Sequence, residues 1–344
     1  MFIVPELLEE HVSCNSLLTR FIGKIHAFKE LFLLADARAI RNGGVACKDD
    51  KTELKEEFNG IYRQLNFLIN DTEIFSEPQR RAIGNIAKRE LLPYVLLSEA
   101  GELFYSKPKG YPGDYGTIEK IYNNSPRGIN RLGPLLDECF LNLSAAQAVR
   151  NRREILAREI AKTVDASDGI ANIISLACGP AREVIDAFSL ANSKNMMNVT
   201  LLDFDAEALA FCKTNFDNRG FHERIEFLNE NLIHLALGRK RLRIASQELA
   251  YSVGLIDYFN DDFVVKLLNF IFDILAKEGR VIVGNFHPAN PTRAFLDYVL
   301  DWPLIHRTED DMNRLFRSSK FSRPCTNIVF EDEKVNLFAE CIKE

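Results

Sequence analysis

Three stretches in the second half of the chain carry residue types that could grip a nucleotide-like ligand. The first is Ile173-Ile-Ser-Leu-Ala-Cys-Gly-Pro-Ala-Arg-Glu183, an apolar run that passes through small residues into a helical pattern. Gly179 permits positive φ or a close approach of bare backbone, and Ala177 and Ala181 keep their positions small. Pro180 and Ala181 stand where a phosphate-cradling loop would place glycine and N–H donors, so the loop is poorly suited to a pyrophosphate. Alone, it also fits a plain turn between strand and helix. The second stretch is Leu201-Leu-Asp-Phe-Asp205, whose Asp203 lies 24 residues past Gly179. A carboxylate at the end of a second strand can accept from both hydroxyls of a ribose. Asp205 reads as the N-cap of the next helix, leaving Asp203, with Phe204 beside it, as the ribose candidate. The third is Phe227-Leu-Asn-Glu-Asn-Leu232, where Asn231 could read an adenine edge and Leu232 cover its face.

Two more stretches could carry the reaction. In Tyr251-Ser-Val-Gly-Leu-Ile-Asp-Tyr258, Ser252 and Gly254 are candidate ligand contacts, and Asp257 and Tyr258 point toward a reacting region. Farther on, Asn285 and His287 end another apolar run. The ordinary pKa of histidine suits a general base, although His287 followed by Pro288 also fits a turn. The other histidines read as structural or solvated. Residues 106–127 cluster glycine and proline with Tyr111, Asp114, Tyr115 and Tyr122, a turn-rich connector expected to fold as a lid over the reacting edge. Tyr115 is a candidate catalytic hydroxyl; Tyr111, Asp114, Tyr122, Asn285 and Arg293 are candidate substrate contacts. Arg293 and Arg307 could each hold an anion bidentately.

The elements that must position these residues follow from periodicity. Residues 1–100 repeat apolar side chains at helical spacing, broken at Asn42-Gly-Gly44. From about residue 170 strands and helices alternate. Strands are expected at 172–177, 199–203, 225–228, 248–252 and 280–285, and helices at 183–190, 206–218 and 263–276. That alternation predicts parallel strands covered on both faces. The runs 326–331 and 335–342 are joined by three residues, too few for a parallel crossover, so they must form an antiparallel hairpin. The expected division is a helical cap over 1–147, including the lid, and a ligand-binding sheet domain over 148–344.

Composition narrows the partners. The 344 residues carry 43 basic and 49 acidic side chains, a net charge of −6, which offers no global field for a phosphate backbone. Seven cysteines without a CxxC pair fit reduced thiols and no metal site. The acidic N-terminus does not read as a secretory signal, and no run is long enough to span a membrane. A cytoplasmic enzyme is expected, with a small-molecule substrate, no nucleic acid and a homodimeric state.

The loop without a phosphate cradle favours S-adenosylmethionine over a dinucleotide, and the terminal hairpin favours it further. The second half resembles a class I S-adenosylmethionine-dependent methyltransferase. More narrowly, the chain resembles the family of 3-hydroxypalmitic acid methyl ester biosynthesis. The resemblance runs over roughly residues 80–344 and is carried by Lys107-Pro-Lys-Gly-Tyr-Pro-Gly-Asp-Tyr115, Ser175-Leu-Ala-Cys-Gly-Pro-Ala-Arg-Glu183, the 251–258 string, and Gly284-Asn-Phe-His-Pro-Ala-Asn-Pro-Thr-Arg293 continuing to Asp301-Trp-Pro-Leu-Ile-His-Arg-Thr-Glu309. It implies an α/β fold with a seven-stranded Rossmann-like sheet ending in the antiparallel hairpin. It implies S-adenosylmethionine as cofactor, leaving S-adenosylhomocysteine, with contacts from Ala177, Gly179, Pro180, Glu183, Asp203, Phe204, Asn231, Leu232, Ser252 and Gly254. Ser175 replaces the first-strand acid common in the class, so the methionine ammonium must be met by Glu183, Asp114 or a tyrosine hydroxyl.

The expected reaction is O-methylation of a carboxyl or hydroxyl group on an acyl or natural-product metabolite, within secondary metabolism. N-methylation of an amine-bearing intermediate and methylation of a protein are the alternatives. A non-catalytic module that has kept the fold is disfavoured by the complete set of cofactor motifs.

Overall fold

The computed structural model describes residues 5–71, 73–192 and 197–344. Part of the N-terminal stretch read above for a leader, residues 1–4, lies outside that description. The chain divides into two compact units. One comprises 1–112, 123–146 and 291–303; the other comprises 113–122, 147–290 and 304–344. The break inside 146–147 falls beside the expected one, but two stretches change sides. Residues 113–122 of the expected lid belong to the sheet unit, and 291–303 belong to the helical unit.

The helical unit is built from α1 (Pro5–Arg41), α2 (Lys48–Asn66), α3 (Glu77–Val95), α4 (Glu99–Ser106) and, after α5 of the sheet unit, α6 (Gly133–Leu141). Their apolar stripes meet in an aromatic core. Phe28 lies edge-on to Tyr94 at 5.4 Å, and Phe58 meets Phe140 at 5.2 Å and Phe295 at 5.6 Å. Phe295 opens a single π-helical turn, Phe295–Val299, which explains why a segment following the sheet counts with the helices. That turn presses on α3 so closely that a Cβ at Gly84 would sit 2.1 Å from the Tyr298 ring. No helix among the described residues is long and apolar enough to cross a membrane.

The sheet unit has seven strands: β1 (Ala171–Leu176), β2 (Met197–Asp203), β3 (Ile225–Asn229), β4 (Gln247–Val253), β5 (Leu275–Phe286), β6 (Asn327–Phe330) and β7 (Asn336–Ile342). Their order is β3-β2-β1-β4-β5-β7-β6. The first five run parallel; β7 is antiparallel to β5 and to β6. The hairpin expected from the short 326–342 connection is therefore present, and β7 is its inner strand. Buried Glu331 pins its turn by accepting from the N–H groups of Val335 and Asn336 at 2.7 and 3.0 Å.

Residues alternate between two apolar layers, as a strand period of two demands. Ile173, Val199, Leu201 and Leu249 face one layer with α7 (Ser144–Ala166), α8 (Arg182–Leu190) and α9 (Ala206–Asp217). Ile174, Leu176, Leu202 and Ala250 face the other with α10 (Leu232–Ala236), α11 (Asp261–Ile274) and α12 (Glu309–Ser318). β5 is longer than expected because it starts at Leu275, across a register shift in its pairing with β4. The turn-rich reading of 106–127 also missed a helix, α5 (Tyr115–Asn123). It begins where the Pro112-Gly113 turn ends and Asp114 supplies the cap.

Candidate functional site

The carboxyl edge of the sheet gathers most of the expected cofactor residues. Between β1 and α8 the backbone turns through left-handed conformations at Ala177, Gly179 and Ala181, with φ of +56°, +53° and +47°. Only Gly179 has the side chain that suits this geometry. Open space surrounds its Cα, with nothing within 4 Å of where a Cβ would stand. Pro180 and Ala181 are buried behind the loop.

Asp203, ending β2, holds this loop in place. Its Oδ2 accepts from the Gly179 N–H at 3.0 Å and its Oδ1 from the Asp205 N–H at 2.9 Å. Burial pushes its carboxyl above the usual range, opposed by those backbone bonds. A carboxylate offers about four acceptor positions, so it has more of them than these backbone bonds use, the capacity a ribose diol needs. Phe204 next to it is 55% exposed, unusual for an aromatic side chain. Asp205 is the N-cap of α9 as expected, accepting from the Glu207 N–H.

Asn231 is likewise an N-cap: its Oδ1 accepts from the Ile233 N–H at 2.8 Å and starts α10. The residue is exposed, so its amide Nδ2 still faces outward. Leu232 is buried in the apolar layer below. Ser252 is also buried, and its hydroxyl donates to the Leu176 carbonyl at 3.0 Å, stitching β4 to β1. Gly254 follows with φ of +83°, and a Cβ there would stand 2.6 Å from Nη1 of Arg152 on α7.

Glu183 opens α8 inside the unit. Burial raises its carboxyl above the usual range while the Tyr251 hydroxyl, donating at 2.9 Å, lowers it. Sequence reasoning read the 251–258 string for its far end and missed Tyr251, whose signal was a phenol beside Ser252 in a strand whose other central residues are apolar. Helix α5 belongs to the same unit. Tyr115 packs its ring 5.5 Å from Phe211 of α9, Glu119 pairs with Arg182, and Tyr122 lies under Arg153 at 5.5 Å. Desolvation pushes the Tyr122 phenol up.

Other candidates sit elsewhere or are consumed by structure. Asp114 is buried and caps α5, accepting from the N–H groups of Gly116 and Thr117 at 2.9 and 3.1 Å and from the Thr117 hydroxyl. Asp257 is buried in the turn after β4, with Oδ1 accepting from the Phe286 N–H at 2.7 Å. Burial carries its carboxyl up to about 6. Tyr258 ends that turn, half-buried. Asn285 is fully buried; its amide donates to the carbonyls of Phe286 and Ile305 and its oxygen accepts from Arg307. His287 meets Glu309 at 3.2 Å through Nε2, accepts from the Ala289 N–H at Nδ1, and stands edge-on to Phe330 at 5.3 Å. Those partners lie on the hairpin side of β5. Tyr111 and Arg293 belong to the helical unit, where Arg293 lies 3.8 Å from Asp297.

Five parallel strands, an antiparallel β7 slotted before β6, and a small-residue loop bound to an acid ending β2 define a Rossmann-like methyltransferase fold. A family model described as "Putative methyltransferase" matches residues 109–329, more than half of the chain, and the chain belongs to that family. Among curated proteins it is similar to the uncharacterized protein YnbC of Escherichia coli (strain K12). The identity is 24% over 267 residues, covering 70% of this chain and 43% of that protein. The chain thus spans less than half the length of that relative. A possible exported protein from Bordetella parapertussis has the same fold, with a TM-score of 0.60, 16% identity, and coverage of 85% of this chain and 96% of that one. Magnesium protoporphyrin IX methyltransferase from Synechocystis PCC 6803, solved with S-adenosylhomocysteine, aligns at a TM-score of 0.48 and 9% identity, over 71% and 97% of the two chains.

Proposed function

We propose that the protein transfers a methyl group from S-adenosylmethionine to a small molecule, O-methylating a carboxyl or hydroxyl group of an acyl or natural-product metabolite. The observation that carries the cofactor reading is the Asp203–Gly179 bond at the open face of the β1 loop. It presents a carboxylate and bare backbone side by side, the donor set an adenosyl ligand requires. Asp203 would accept from the ribose hydroxyls, Asn231 would donate to the adenine edge, and Phe204 would flank the ring. When bound, the cofactor supplies an electrophilic methyl group on a sulfonium. The protein's share is to align the acceptor, exclude water and, where needed, take a proton. The four resemblance strings support the 3-hydroxypalmitic acid methyl ester family as the finer assignment.

Calorimetry of the full chain with S-adenosylmethionine tests this reading. Binding that is lost in Asp203→Ala is expected; absence of binding to the wild-type chain rejects it. Mass spectrometry of a lysate supplied with methyl-labelled cofactor, with and without the protein, then reads the substrate. A second reading is N-methylation of an amine: like a hydroxyl acceptor, an ammonium must lose a proton that a carboxylate does not carry, and His287 would have to exchange its contact to Glu309 or to the Ala289 N–H to take it.

A further inference from the structure

The sheet unit buries two guanidinium groups with opposite accounts. Arg307, 2% exposed, spends all its donors. Nε and Nη2 bond Asp261 at 3.0 and 2.9 Å, Nη1 bonds the Ile256 carbonyl and Asn285, and Nη2 bonds the Phe259 carbonyl. Arg152, 7% exposed on α7, lies close enough to the Tyr122 phenol for its charge to bear on that group. Glu183 and Asp257 feel its charge, yet among the described residues no carboxylate forms an ion pair with it. A mostly buried guanidinium without a carboxylate partner suits an anion, and among the described residues none of its nitrogens is both sealed from solvent and unpartnered, so its donors remain reachable.

Its position says which anion it suits. Nη1 lies against Gly254, directly past β4. β4 pairs with β1 through Ser175 and Tyr251, and Ser252 bonds the Leu176 carbonyl just before the loop. In the strand order β3-β2-β1-β4, a nucleoside with its ribose at Asp203 on β2 and its base toward Asn231 past β3 directs its 5′ substituent across β1 toward β4. There it meets Arg152. Resting on the S-adenosylmethionine reading above, we infer that Arg152 holds the α-carboxylate of the cofactor's methionyl tail. A planar fork of donors matches a carboxylate bidentately.

The test is calorimetry on the full chain with three ligands: S-adenosylmethionine, its decarboxylated analogue, and methylthioadenosine, which lacks the tail. The wild-type protein is expected to bind decarboxylated S-adenosylmethionine about tenfold to hundredfold more weakly than the intact cofactor. Arg152→Gln is expected to erase that preference while leaving methylthioadenosine affinity unchanged. Arg152→Lys should keep part of it. Equal losses for all three ligands, or none, overturn the inference and leave the cofactor reading intact. Should Arg152→Gln fail to fold, equal wild-type affinities for the intact and decarboxylated cofactor overturn it without any variant. A wild-type chain that binds none of the three overturns the cofactor reading, and this inference with it.

Discussion

Tyr251 donates its hydroxyl hydrogen to Glu183 at 2.9 Å, and both residues are buried. One end of this bond lies in β4 and the other in the first turn of α8, so it ties the helix following the β1 loop to the centre of the sheet. Desolvation raises both acids, and Glu183 repels ionisation of Tyr251 further. Tyr251→Phe leaves a buried carboxyl without its donor. Its expected cost is about 1–3 kcal/mol in urea unfolding. Glu183→Gln keeps an acceptor for the phenol and should cost less. If Tyr251→Phe is as stable as the wild type, the bond does not hold α8.

Asp257 gives the fold a pH dependence with a definite sign. Its carboxyl sits at about 6 in the folded protein against an ordinary 3.8. The folded state therefore binds the extra proton, and stability from this group is full below about pH 4 and falls as pH rises through about 6. The loss is at most about 3 kcal/mol. Asp257→Asn retains an oxygen for the Phe286 N–H and removes the ionisation. The variant should match the wild type near pH 4 and exceed it near pH 7.5, by urea unfolding at each pH. A stability difference that does not change with pH would show that Asp257 does not titrate in that range.

Strand–helix alternation and the short 326–342 connection made the sheet and its terminal hairpin legible, because both depend on local period and chain reach. Asp203 was legible for the same reason: it ends an apolar run. Side chains that act across the fold were not. Arg152 stands in the basic string Arg150-Asn-Arg-Arg153, and nothing in that string says which residue turns inward. Asp114 stands in the turn-rich connector, and Asp257 and Asn285 stand at or just past strand ends, which makes them candidate reacting or substrate residues in the sequence; in the fold Asp114 accepts from backbone N–H groups and the Thr117 hydroxyl, Asp257 from the Phe286 N–H, and Asn285 bonds backbone carbonyls and Arg307. The exchange of 291–303 depends on Phe295 joining aromatic rings more than a hundred residues earlier, which no window on the sequence displays.

The loop already carries two alanines at positive φ, so a third is sterically admissible. At Gly179 a methyl group would enter open space while costing about 1–2 kcal/mol of backbone strain. That same space is where an adenosyl ligand would pack. Gly179→Ala should therefore remain folded, with a modest loss in urea unfolding, and lose at least about tenfold in S-adenosylmethionine affinity. Retained affinity would place the cofactor away from this face of the loop.

His287 separates an acceptor that arrives ionised, a carboxylate, from one that must lose a proton, a hydroxyl or an ammonium. Glu309 holds its Nε2 and the Ala289 N–H meets Nδ1, so the ring is oriented from both sides. A substrate carboxylate is ionised near pH 7 and needs no base; an ammonium must lose a proton before its nitrogen can attack. Under the O-methylation of a carboxylate, His287→Ala changes the rate little, about twofold or less, and the rate is flat between pH 6 and 9. Under N-methylation, removing the base costs on the order of 10²-fold, and raising the pH recovers part of the loss. Glu309→Gln should follow His287→Ala in the second case, since it removes the charge that would stabilise an imidazolium. A large His287→Ala effect with no pH recovery would point instead to a positioning role, with Phe330 and the hairpin moving along with the ring.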